Sequence, residues 1–260
     1  MGFTTVIAEK MDGVLTVTLN RPEALNAMNA EMLKEMHQVF ASVRDDQKIK
    51  AMVIRGNERA FSAGGDLKFV QEILKDPKRF ANYRDQLYGV FFALEELPVP
   101  VIAVVRGFAL AGGLELAMAC DLVIVADDAL LGDQHINVGL IPGGGNTQRL
   151  PRKLGIQKAL YLMFTGDRLS GKEAVEWGLA FKSVKPEDLD KEVEALLAAL
   201  RNKSRPALEA IKKATYQGLQ ISNLKDAIRH ETLSLTEYIT TSDHPSQGVQ
   251  AFMEKRKPQF

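Results

Sequence analysis

The stretch from Val101 to Met118 constrains this chain more than any other. Val101, Ile102, Ala103, Val104 and Val105 form an apolar, β-branched run that reads as a buried strand. Small residues follow through Gly107, Ala109, Ala111, Gly112 and Gly113, and Leu114, Leu116, Ala117 and Met118 continue as a helix. The unit is therefore a strand, a glycine turn and a helix N-terminus. The first N–H groups of a helix have no partner within it and carry partial positive charge. Gly112 and Gly113 are thus placed to offer donors to an oxygen that becomes negative during a reaction. No side chain obstructs the approach there. Glu115 follows about one turn on, within reach of a proton on the same bound group. The plain alternative is a buried packing turn with Glu115 on a solvated face. Nucleotide loops are disfavoured: Leu114 stands where a phosphate-binding lysine belongs, and no dinucleotide Gly-x-Gly-x-x-Gly spacing occurs.

A second loop repeats the arrangement. Ala51 to Arg55 is a short apolar strand, and Phe61-Ser62-Ala63-Gly64-Gly65-Asp66-Leu67-Lys68 leads into a helix that Asp66 is suited to cap. One such loop is usually structural, but two can each give a donor to a single oxyanion. Before them, Thr5–Lys10 and Val14–Leu19 read as a hairpin across Asp12-Gly13, with Leu15, Val17 and Leu19 on its buried face. Met28, Met32, Met36, Val39, Phe40 and Val43 recur at helical spacing and read as core. Phe80 to Leu94 is helical, and Leu122 to Ala126 is another buried strand. A loop carrying Gly132, Asp133, Gln134, His135 and Asn137 follows, and then Gly139 to Gly145, too rich in glycine for regular structure. From Leu150 the chain reads as helical in several pieces, and after about Pro186 as helix alone. The expectation is an α/β core followed by a helical tail.

Composition narrows the classes of function. Lys plus Arg and Asp plus Glu both total 33, so no basic field points to nucleic acid or an anionic membrane. Hydrophobic residues make up 46% of 260, enough for a sizeable core, yet no run approaches the length of a membrane span. Cys120 is the single cysteine, which excludes an internal disulfide framework and fits a reducing compartment. With no secretory pattern at the N-terminus, the cytoplasm is expected. No cluster of His, Cys, Asp or Glu has the spacing of a metal site.

In order along the chain stand Arg21-Pro22-Glu23-Ala24-Leu25-Asn26-Ala27, Phe61-Ser62-Ala63-Gly64-Gly65-Asp66, Ala111-Gly112-Gly113-Leu114-Glu115-Leu116-Ala117, Gly139-Leu140-Ile141-Pro142-Gly143-Gly144-Gly145 and Glu254-Lys255-Arg256-Lys257. Together these resemble the crotonase superfamily, the enoyl-CoA hydratase and isomerase family, over essentially the whole chain. The resemblance implies an α/β fold: a spiral of β-β-α turns over residues 1–195, and a helical C-terminal region over 196–260 that builds homotrimers, often paired into hexamers. It implies an acyl-CoA thioester as ligand, with no cofactor beyond that coenzyme A moiety and no metal. The N–H groups of Gly65 and Gly112 would hold the acyl oxygen. Ala24, Leu25, Ala27, Ala63, Asp66, Leu67, Lys68 and Gly144 would line the substrate site, and Phe252 and Lys255 would reach the coenzyme of a neighbouring subunit.

The sequence departs from the family at one position. Family hydratases use two glutamates to position and activate water; Glu115 matches the first, and His135 stands at the second. Histidine also exchanges protons with water near neutral pH, so hydration of a 2-enoyl-CoA through Glu115 and His135 is the leading expectation. An enoyl-CoA isomerase is the runner-up, since family isomerases usually place their one acid/base where His135 stands. A CoA-thioester or retro-Claisen hydrolase and a non-catalytic acyl-CoA binder are further readings. Asp133 and Asn137 flank His135, either to orient it or only to cap the loop. His37, His230 and His244 have no partner motif.

Overall fold

The structure is a computed structural model that describes residues 2–260. It opens with the expected hairpin, β1 (Val6–Met11) and β2 (Val14–Leu19), paired antiparallel from Val6↔Leu19 to Met11↔Val14. Asp12 and Gly13 both take positive φ, the conformation that a two-residue turn needs to match the twist of its strands. Val17 and Leu19 are buried while Thr16 and Thr18 are partly open, so β2 carries the core-facing alternation.

Helix α1 (Ala30–Asp45) buries Met32, Met36, Val39, Phe40 and Val43, and Asn29 caps it by accepting from the Met32 N–H at 3.0 Å. Met28 therefore lies before the helix and not on its stripe. It is extended and forms an isolated parallel bridge with Gly65, a correction that places it under the candidate site.

The rest of the core is a repeating strand–strand–helix unit. First come β3 (Ala51–Arg55) and β4 (Ala60–Ser62), followed by α2 (Leu67–Ile73) and α3 (Pro77–Glu95). Then β5 (Val101–Val105) and β6 (Phe108–Leu110) lead into α4 (Gly112–Met118). The third unit is β7 (Leu122–Ala126) and β8 (Leu130–Gly132), followed by α5 (Asn146–Leu154) and α6 (Ile156–Thr165). The first strand of each unit joins one sheet and the second joins another. The order is β1-β2-β3-β5-β7-β10 in the larger sheet, where β10 is Lys182–Val184, and β4-β6-β8-β9 in the smaller, where β9 is Leu169–Ser170. β3, β5 and β7 are parallel neighbours, as are β4, β6 and β8, so the chain advances as a spiral by one strand spacing, about 5 Å, per turn.

The region after Leu150 is not helix alone. β9 (Leu169–Ser170) and β10 (Lys182–Val184) flank α7 (Gly171–Trp177), and β10 closes the larger sheet against β7. Both strands are too short and too polar to show a period of two. From α8 (Leu189–Arg201) onward only helices remain: α9 (Arg205–Gly218), α10 (Leu224–Thr241) and α11 (His244–Met253). α9 is pinned to the spiral by Lys212. Its ammonium meets Asp121 Oδ2 at 2.7 Å and donates to the carbonyls of Leu94 and Val99, while Tyr216 donates to Asp121 Oδ1. Among the described residues no helix is long and apolar enough to cross a membrane.

Candidate active site

Three adjacent parallel strands of the smaller sheet end at one place, and each releases a site segment there. Gly64 and Gly65 follow β4, Gly112 follows β6, and Asp133 and His135 follow β8. The register fixes their spacing: Leu110 pairs with Gly132, and the next N–H along, Ala111, donates to the Gly132 carbonyl at 3.0 Å.

The two glycine loops abut. A Cβ on Gly112 would lie 3.4 Å from the Gly65 nitrogen, and a Cβ on Gly64 only 3.0 Å from the Gly112 nitrogen. Among the described residues neither the Gly65 nor the Gly112 N–H donates to a carbonyl of the chain. Ala111, just before α4, holds φ +48° and ψ −119°, an uncommon backbone for a residue with a Cβ, and it turns the chain sharply into the helix. Met28 supports the other loop: its N–H donates to the Gly64 carbonyl at 2.7 Å, and its carbonyl accepts from the Asp66 N–H at 2.9 Å and the Tyr83 hydroxyl at 3.1 Å.

The first loop docks against the same place. Leu25 and Asn26 take positive φ after a short turn over Pro22–Ala24, and the Leu25 carbonyl accepts from the Ala63 N–H at 2.9 Å. Ala27 is buried beside them. Buried Asn26 donates to the Ala60 carbonyl and accepts from the Arg21 N–H, riveting the loop to β4. Asp66 caps α2 by accepting from the Lys68 and Phe69 N–H groups, and its other oxygen pairs with Arg21 at 2.9 Å. Burial opposes its charge, but Arg21 and the backbone donors outweigh burial and hold the carboxyl below its usual range. Both oxygens are thus committed within the protein. Leu67 and Lys68 line a cleft of about 420 Å³ that Val70, Leu74, Val138 and Leu140 complete.

Glu115 sits on α4 only 1% exposed. Its Oε1 accepts from the Gly144 N–H at 2.7 Å and the Asn146 N–H at 3.3 Å, so the Gly144 donor serves the glutamate. Its Oε2 lies 3.8 Å from His135 Nε2. Burial pushes the Glu115 carboxyl above the ordinary range, against the pull of His135 and the two N–H groups. His135 lies in a short 3-10 turn, His135–Val138, and its Nδ1 is 2.9 Å from Asp133 Oδ1. Burial works against its charge, but the hydrogen bond to Asp133 and the negative charges of Glu115 and Asp133 prevail and raise its pKa.

Asp133 Oδ1 faces His135 Nδ1 and also accepts from the His135 N–H at 3.3 Å, the contacts that either orienting the ring or capping the turn would use. Asn137 does neither: its amide faces Gln134 Oε1 and the Gly166 carbonyl. Phe252 is 84% exposed and Lys255 makes no ion pair among the described residues. Cys120 is a buried core thiol whose pKa burial raises. His244 bonds Ser204 Oγ at 2.7 Å, remote in sequence from the site segments. Sequence reasoning missed Asn146, Tyr83 and Met28, which reach the site through contacts at long sequence separation.

Comparison with known proteins fits this geometry. The family model for enoyl-CoA hydratase/isomerase matches residues 9–260. The chain is 36% identical to a probable enoyl-CoA hydratase of Mycobacterium tuberculosis, covering 100% of this chain and 99% of that one. It is 35% identical to a crotonyl-CoA hydratase of Syntrophomonas wolfei at the same coverage. Its fold superposes on the crystal structure of an enoyl-CoA hydratase from Bacillus anthracis with a TM-score of 0.93 at 30% identity, over 98% of both chains. A match over nearly the whole chain, with the same spiral underneath it, places this protein in the enoyl-CoA hydratase/isomerase family.

Proposed function

We propose that this protein adds water across the double bond of a 2-enoyl-CoA, with Glu115 and His135 as its acid–base pair. The observation that carries the reading is the 3.8 Å approach of Glu115 Oε2 to His135 Nε2, on the helix that begins at the Gly112 N–H. The thioester oxygen sits between the Gly65 and Gly112 N–H groups, which are fixed before the reaction and need no reorganisation as charge develops. Glu115 takes a proton from water as its oxygen bonds Cβ. The π electrons move onto the thioester oxygen, and the imidazolium of His135 returns a proton to Cα. Transfer of the water proton from Glu115 to His135 then restores the starting state. Burial raises the pKa of Glu115 and the facing anions raise that of His135, which supports their pairing as acid and base.

The cleft between α2 and the Val138–Leu140 segment takes the thioester's flexible part, with Leu67 and Lys68 at its edge. Ala24, Leu25, Ala27 and Ala63 form the wall beside it. No step calls for a metal or a cofactor beyond the coenzyme A of the substrate. The helical region after residue 195 is the assembly surface of a homotrimer, alone or paired as a hexamer. Leu224, Leu233, Val249 and Met253 stand exposed there and are available to such an interface. In that assembly Phe252 and Lys255 face a neighbour's coenzyme. The test is crotonyl-CoA turnover, followed by loss of the conjugated-thioester absorbance and a product heavier by one water. Turnover of a 3-enoyl-CoA alone would instead make the protein an isomerase.

A further inference from the structure

Asp133 is fully buried and has no lysine or arginine partner among the described residues. Its Oδ1 faces His135 Nδ1 at 2.9 Å, and its Oδ2 accepts from Asn146 Nδ2 at 2.9 Å. Asn146 also binds Glu115 through its backbone N–H at 3.3 Å. One residue at the start of α5 therefore ties both buried carboxylates, and the His135 ring stands between them, closing a circuit of four residues. Capping the turn at His135 needs only a neutral oxygen, as serine or asparagine supplies. A carboxylate there adds a buried negative charge, costly unless a cation or a proton answers it. The one group placed to answer it is the imidazole.

We propose that Asp133, tethered by Asn146, is a positioning residue that keeps one proton on His135 Nδ1 and aims Nε2 at Glu115, so that the histidine works as the proton carrier of the site. This rests on reading Glu115 and His135 as the acid–base pair. Asp133 thereby supplies the second negative charge of the site from behind the ring, without touching substrate. The charged surroundings of His135 are few. α4 presents Glu115 and the histidine's own segment presents Asp133. α5 presents neutral Asn146, with Arg149 held on Glu95 and the Gly144 carbonyl. On the α6 side Tyr161 bonds Asp167, and Arg168 bonds Gln134.

Asp133→Asn keeps the size and the acceptor while removing the charge. With the anion gone, imidazolium is less favoured, so the alkaline limb of kcat/KM for crotonyl-CoA moves to lower pH by roughly one unit, and kcat falls about tenfold or more with KM little changed. A fall in activity with an unmoved pH profile would reduce Asp133 to a structural cap and overturn the proposal. Nitrogen-15 NMR of the histidine rings, with His135 assigned by its absence in His135→Gln, reads the same claim without turnover. Neutral wild-type His135 is expected to carry its proton on Nδ1 and to protonate at higher pH than in Asp133→Asn. An Nε2–H tautomer, or equal titration in the two proteins, would contradict it even if crotonyl-CoA proved not to be a substrate.

Discussion

The Gly144 N–H donates to Glu115 Oε1 at 2.7 Å, and this bond leaves the other carboxylate oxygen for the site. A Cβ on Gly144 would fall 2.3 Å from Phe91 Cε2 and 2.6 Å from Glu115 Oε2. Gly144→Ala should therefore displace the carboxylate, cut kcat about 10- to 100-fold and cost about 1–3 kcal/mol of stability by overpacking. Steady-state kinetics and urea unfolding check both figures.

Gly112→Pro removes one of the two proposed oxyanion donors. The added ring atoms approach Met28 Cε, where a Cβ would lie 2.9 Å away, the far end of a flexible side chain that can move. Turnover should fall about 100- to 1000-fold. A folded Gly112→Pro protein, judged by circular dichroism, that kept wild-type turnover would refute the assignment.

Glu115→Gln should lose turnover by about 100- to 10,000-fold and yet gain stability. The folded-state pKa of Glu115 lies above its unfolded value, so the ionised carboxylate penalises the folded state. That penalty is absent below the ordinary carboxylate range and grows as pH rises through the raised value. Melting temperatures of the two proteins should nearly coincide at pH 4 and separate at pH 8, with the variant higher.

Lys212 is buried with its ammonium on Asp121 and two carbonyls, and it binds α9 to the spiral. Lys212→Ala leaves the partly buried Asp121 carboxylate without its cation, held only by the Val101 N–H and the Tyr216 hydroxyl, and should cost about 3 kcal/mol. Urea unfolding measures the loss, and kcat per folded protein should stay near wild type.

How much of this was legible depended on whether a requirement is local. Glycine loops after apolar strands announce themselves, because a close backbone approach excludes a side chain, and Glu115 follows Gly112 within one turn. The hairpin was legible for the same reason, since Asp12-Gly13 fits a two-residue turn. Met28 misled because it keeps the helical period, although Asn29, the cap, stands right after it. β9 and β10 are held by pairing with β8 and β7 and have too few residues to carry a pattern of their own. Asp133 and Asn146 lie 13 residues apart, and only the turn from β8 into α5 brings them together.

Hydration of a conjugated thioester should require Glu115 and His135 together. The most direct measurement mixes the purified protein, and its Glu115→Gln and His135→Ala variants, with crotonyl-CoA while following ultraviolet absorbance and product mass. Wild type should lose the conjugated band with a gain of one water, and each variant should show a severe fall in rate at nearly unchanged thioester affinity. Wild-type hydration by His135→Ala, or tight binding of crotonyl-CoA without any hydration, would contradict it.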